Sequence, residues 1–207
     1  EHIDAVAATR HPGLIGALLI CLTAGKSLSW ALDVPLLAVD HLDAHIYGGW
    51  MGEKPPDLPC VSLVVSGGHT SLYHTTGPLE HELMGSTVDD AAGEAFDKVA
   101  KILHLGFPGG PIIEETARAG NPSAFDLPRA MMDGENIDFS FSGLKTAVLY
   151  HAVGQNASME DIESASYSEQ FVADMAASFQ QAVIDVLVAK TRLAVEKTGA
   201  RGLIVGG

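Results

Sequence analysis

Residues 11–40, "HPGLIGALLICLTAGKSLSWALDVPLLAVD", decide the fold class. Pro12 and Gly13 open a run in which Leu14, Ala17, Leu18, Cys21, Leu22 and Leu28 recur at helical spacing, which reads as a buried helix. Just upstream, "IDAVAAT" at 3–9 reads as a strand, and "VPLLAVD" at 34–40 reads as a short inner strand. Strand, helix, strand in that order favours a parallel sheet and an α/β fold.

Moving downstream, "HLDAH" follows the carboxyl end of the second strand, where open α/β sheets place ligands. His41 and His45 are four apart, so on a helix they share a face and can offer two neutral imidazoles to one cation. Such a pair alone is more often incidental. The zinc-protease pattern H-E-x-x-H needs a glutamate after its first histidine, and Leu42 stands there. Two histidines with one distant carboxylate would instead form a facial site that favours iron(II). Asp43 points away from both histidines, and the carboxylate is not identifiable in this chain.

Pro55, Pro56 and Pro59 make "MGEKPPDLP" (51–59) the clearest linker, and a boundary between lobes is placed near it. Beyond it, "CVSLVVSGGHTSLYHTTG" (60–77) reads as two strands joined across Ser66, Gly67 and Gly68, a turn whose amides can approach a ligand. Between strands, however, Gly-Gly is a plain hairpin turn at least as often. Ala92, Ala95, Phe96, Val99, Ile102 and Leu103 form one face of a helix, stopped by Gly106 and "FPGGP". On that helix Asp97 is by default a solvated charge. Residues 119–138 read as a loop, "DFSFSGLKTAVL" (138–149) as a turn into a helix. The last helix is expected to start at a capping box, Ser166-x-x-Glu169, with Phe171, Met175, Phe179, Val183, Val186 and Leu187 as its core stripe and a strand after Gly199.

A net charge of -14 with only 12 Lys and Arg argues against broad nucleic-acid binding, which needs clustered cations. Cys21 and Cys60 lack CxxC spacing and read as reduced core thiols of a cytoplasmic protein. The apolar run Leu14 to Leu22 is too short for a membrane span, so a soluble protein is expected. The first residue is not Met and "RGLIVGG" ends on a strand, so an interior piece of a longer protein is expected.

The ordered set "PGLIGALL", "HLDAH", "VVSGGHT", "DDAAGEAFDKVAK", "FPGGP" and "DFSFSGLKT" resembles the bacterial TsaD family, also called Gcp or glycoprotease family, over nearly the whole chain. The resemblance implies an actin-like ATPase (sugar kinase, Hsp70, actin) fold, with 1–50 in a first lobe and 60–207 in a second. It implies transfer of a threonylcarbamoyl group from threonylcarbamoyl-AMP to the N6 amine of the adenosine next to the anticodon, in tRNAs reading codons that start with A. Carried over by motif, His41 and His45 match metal ligands, usually of iron(II), with zinc as an alternative. Val64, Val65, Ser66, Gly67 and Gly68 match the segment that contacts the donor, while Asp97 and Gly110 match positions that hold its nucleotide. No general base is assigned. Implied partners are tRNA, a paralogous TsaB-type subunit and a TsaE-type ATPase, with no membrane.

Departures from the family pattern are specific. "TRHPGL" puts His11 where the family has glycine, and Glu114 stands where many members have aspartate, so Glu114 is left out of the expected site. The amino-terminal "ETSCDET"-like loop and the downstream asparagine and aspartate motifs are absent from these residues. The third metal ligand is expected to be that aspartate, and the isolated chain is expected not to complete a turnover. Two other readings stand beside this one. A metalloprotease is disfavoured by Leu42, and a non-catalytic scaffold paralogue by the retention of both histidines with the SGG and FDK segments.

Overall fold

The computed structural model of the chain describes residues 2–52, 54–156 and 158–207. Strand β1 (Val6–His11), helix α1 (Ile15–Leu32) and strand β2 (Leu36–Asp40) form the expected parallel unit, with Val6 opposite Leu36. Pairing with β2 sets the extent of β1, which starts three residues after the expected Ile3 and runs on to His11.

Helix α1 is not buried. Gly25 is its one buried residue, and a Cβ there would come within 2.9 Å of the Ala8 Cβ, so this is where the helix lies closest to β1. Ile15, Leu19 and Trp30 are 87%, 67% and 88% exposed. The helix is apolar around most of its circumference, and two strands cover only one side of it. Cys21 is therefore exposed, against the core reading, while Cys60 is fully buried as expected. By length and composition, α1 with 18 residues and a later helix of 30 both reach the size of a membrane span, more than the run to Leu22 suggests.

Helix α2 (His41–Gly48) leads through one 3-10 turn into the proline-rich stretch; Glu53, inside the linker reading, lies outside the described residues. A second sheet follows, from β3 (Cys60–Val65), β4 (Thr70–Gly77), β5 (Glu80–Ser86) and the final β6 (Gly202–Gly206), in the order β5-β4-β3-β6. Its first two neighbour pairs are antiparallel and the β3–β6 pair is parallel, so the protein is α/β with mixed sheets.

Helices α3 (Ala92–Ile102), α4 (Gly109–Ala117), α5 (Ser142–Val153), α6 (Met159–Ser164) and α7 (Glu169–Thr198) complete the chain. Val61, Leu63 and Leu72 of the sheet join Val99, Phe139, Phe141, Met175 and Phe179 in the main core. Met175, Phe179, Val183 and Val186 are buried along α7, the expected stripe.

Two element boundaries differ from the reading. "FPGGP" does not only end α3: Pro108 is the N-cap of α4, because Pro and Gly are tolerated in a first helical turn whose N–H groups lack partners anyway. Helix α7 starts at Ser168 and not at Ser166, because the Ser168 hydroxyl is the one that accepts from the Phe171 amide, 3.2 Å away. Strand β5, at the sheet edge, carries too little apolar alternation to be read from sequence.

Helix α2 follows β2 in the chain but packs on the second sheet. Ile46 is buried with Cys60, Val64 and Ile204. Glycine permits the approach: a Cβ on Gly49 would come within 2.6 Å of Ile204, and one on Gly206 within 2.9 Å of the His45 carbonyl oxygen.

Candidate functional site

The site begins at the end of β2, where Asp40 caps α2 by accepting from the amides of Leu42 (2.8 Å) and Asp43 (3.3 Å). That cap makes His41 the first helical residue and brings His45 beneath it one turn later. Their Nε2 atoms face each other at 3.1 Å, with ring centroids 4.4 Å apart. Burial, then the nearby His41 and His69, hold His45 below the usual imidazole range.

The 3.1 Å contact is within hydrogen-bond distance, and the same separation also suits two nitrogens on one cation. Two nitrogens, each about 2.1 Å from one ion and at a right angle, would stand about 3.0 Å apart. Among the described residues no group of three or more His, Cys, Asp or Glu gathers at ligand spacing. These residues thus offer one edge of a coordination shell and not a closed cage.

The turn between β3 and β4 forms the next wall. The Ser66 amide donates to the His69 carbonyl (2.8 Å), and the His69 amide donates back to the Ser66 hydroxyl (3.1 Å). Gly67 and Gly68 are exposed, and a Cβ on either would meet nothing within 4 Å, so the space above them is open to a ligand. Gly93 docks α3 onto this turn: its amide donates to the Ser66 carbonyl at 3.2 Å, and a Cβ there would lie 2.7 Å from that oxygen.

A cavity of about 400 Å³ opens between the turn, α3, α4 and α7, lined by Val65, Ser66, Gly93, Gly110, Glu114 and Gln180 among others. Val65 and Val64 alternate along β3, so Val65 lines the cavity while Val64 is buried against the α2 side. Asp97 Oδ1 accepts from the Gly109 amide at 2.7 Å, tying α3 to the start of α4. Asp97 lines a neighbouring and larger hollow of about 590 Å³ with Lys98, Lys101 and Phe107, whereas Gly110 lines the 400 Å³ cavity beside the turn.

The "DD" that opens "DDAAGEAFDKVAK" binds this segment to "SFSGLKT". Asp89 accepts from the hydroxyls of Ser140 and Ser142, both at 2.6 Å, and from the Phe141 amide at 2.9 Å. Asp90 pairs with Lys98 at 2.6 Å and stands 3.8 Å from Lys145. Two residues at the site, His69 and Gln180, escape the sequence reading, and Glu114, left out of the expected site, lines the cavity. His69 directly follows the glycine turn and its ring centroid is 6.4 Å from that of His41. Glu114 lies one helical turn after Gly110 on the same face, a spacing that could have signalled it; Gln180 carries no such signal.

All 207 residues match the family described as TsaD, tRNA N6-adenosine threonylcarbamoyltransferase. The chain belongs to the TsaD family. Its relatives include proteins named tRNA N6-adenosine threonylcarbamoyltransferase from Symbiobacterium thermophilum, 52% identical over 207 residues, and from Moorella thermoacetica, 50% identical over 210. These matches cover 100% and 99% of this chain but 58% of each relative. A protein of the same name from Bordetella avium is 46% identical with the same coverage, 100% and 58%. The TsaD assignment therefore rests on just over half the length of its relatives.

Proposed function

We propose that this TsaD-family chain serves the transfer of a threonylcarbamoyl group from threonylcarbamoyl-AMP to the N6 amine of the adenosine beside the anticodon, in tRNAs reading codons that begin with A. The observation that carries the reading is the turn Ser66–His69, which touches two features at once. At one end Ser66 lines a cavity of nucleotide size; at the other His69 faces the histidine pair. An acyl nucleotide laid across the turn would have its nucleotide in the cavity and its acyl carbon beside His41 and His45.

In the reaction N6 attacks the carbamoyl carbon, the bond from that carbon to the phosphate oxygen breaks, and AMP leaves while N6 loses a proton. The leaving group is good, so the protein's main contribution is to hold two substrates in register. Backbone amides of the open glycine turn suit oxygen that gains negative charge. Gly110 and Glu114 line the nucleotide side, and Asp97 acts there through the start of α4. His41 and His45 would hold the cation, iron(II) or zinc, whose chemistry is to draw electron density from a carbonyl oxygen. No residue is assigned as general base.

The wider reading follows the family. The fold would be the actin-like ATPase fold in two lobes, residues 1–50 in the first and 60–207 in the second. The partners would be tRNA, a TsaB-type subunit and a TsaE-type ATPase, working in the cytoplasm. With a net charge of -14, this chain would leave much of the tRNA contact to those partners.

The test uses a chain of the relatives' length with its partners, donor and unmodified tRNA, followed by mass spectrometry of the tRNA nucleosides. Threonylcarbamoyladenosine is expected from the wild type and not from His41→Ala or His45→Ala, which should also lose bound metal. Activity retained in both variants would remove the metal role, and no product from the wild type would remove the function.

A further inference from the structure

We infer that His69 is a substrate-positioning residue that grips the acyl end of the donor. The inference rests on the proposed transfer reaction and adds a contact for the group that moves. His69 is built into the turn with unusual constraint: its carbonyl accepts from the Ser66 amide and its own amide donates to the Ser66 hydroxyl, at 2.8 and 3.1 Å. Two backbone bonds fix the direction in which the side chain leaves the turn. The ring, only partly buried, lies edge-on to His41 with centroids 6.4 Å apart.

That separation is informative. Rings that share an ion at a right angle have centroids about 4.5 Å apart, given nitrogen–metal distances of about 2.1 Å. His41 and His45 meet this at 4.4 Å; His69, 6.4 Å from His41, is too far to be its right-angle neighbour on one ion. His69 also completes no three-residue ligand group among the described residues. Its place is across a gap from the pair, at the end of the turn opposite the cavity, where the acyl group of a bound donor would lie.

The chemistry of that group matches the side chain. A threonylcarbamoyl group carries a free carboxylate, which needs N–H donors in a chain of net charge -14. A neutral imidazole still has one N–H to give, so the contact does not depend on protonation. Neighbouring Gly67 and Gly68 leave the approach unobstructed.

The experiment titrates a chain of the relatives' length with three ligands: a non-hydrolysable sulfamate mimic of threonylcarbamoyl-AMP, the same mimic without its carboxylate, and AMP. For His69→Ala, affinity for the first is expected to fall about 10-fold or more, as for loss of a hydrogen bond to a charged group. Affinities for the other two, bound metal and melting temperature should stay at wild-type values, and His69→Gln should recover part of the loss. Unchanged binding of the first ligand, or an equal fall for all three, overturns the assignment, as does loss of metal from both variants. If the wild type makes no modified tRNA, the proposed reaction fails first and separately; if it does while His69→Ala binds the mimic normally, only the role of His69 fails.

Discussion

His11 illustrates what one side chain does when it departs from a motif. Its Nδ1 lies 2.9 Å from Asp40 Oδ2, and the other Asp40 oxygen caps α2, so the residue in the glycine position ties β1 to the helix that carries the histidine pair. Gly93 and Asp97 act by backbone contact instead. Gly93→Ala would place a methyl 2.7 Å from the Ser66 carbonyl and push the turn outward. Urea unfolding should show a loss of about 1–3 kcal/mol, with weaker binding of the donor mimic by calorimetry. Asp97→Ala removes the acceptor for the Gly109 amide and should cost about 1 kcal/mol, whereas Asp97→Asn, which keeps an acceptor oxygen, should cost less. If both substitutions cost the same, charge matters there and not the hydrogen bond.

Among the elements, the long loop before α5 is held from below by α7. Lys190, 3% exposed, donates to the Asn136 carbonyl at 2.6 Å and to the Met131 carbonyl. Burial pushes its pKa down, and Asp138 only partly offsets this. Lys190→Met keeps the apolar stem but leaves both carbonyls without their donor, so a loss of about 2 kcal/mol is expected in denaturant unfolding. The start of α5 is tied differently, through Asp89. Burial raises the Asp89 pKa, but the Ser140 and Ser142 hydroxyls and the Phe141 and Ser142 amides outweigh it, and the carboxyl sits below its ordinary value. A depressed carboxyl stabilises the fold above its unfolded pKa of about 4, and that contribution disappears as pH falls through the lower folded value. Melting temperatures measured from pH 5 down to pH 2.5 should fall less steeply for Asp89→Asn than for the wild type; parallel slopes would show that Asp89 contributes nothing to acid stability.

For the molecule as a whole, the core is uneven. The second sheet and its helices enclose Phe139, Phe141 and Phe179 completely, while α1 rests on two strands with Ile15, Leu19 and Trp30 facing outward. A second apolar groove runs between α7 and β6, past Val188, Leu203 and Val205. Contiguous exposed apolar surface of this kind promotes association. Sedimentation velocity on the 207-residue chain should therefore show concentration-dependent oligomers, and Leu19→Lys with Trp30→Lys should reduce them. A monodisperse wild-type chain at high concentration would show that these faces do not associate.

By itself the sequence determined what depends on neighbours along the chain. The strand, helix, strand unit, the turn at Ser66, the stripe on α7 and the one-turn spacing of His41 and His45 all follow from local periodicity and turn chemistry. Motif order then named the family. Only the tertiary structure decided which side of α1 is covered, that α2 packs on the second sheet, that "FPGGP" starts a helix, and that His69, Glu114 and Gln180 join the site. Burial and convergence depend on surfaces brought together from distant positions, and a local pattern carries no record of what will lie opposite it.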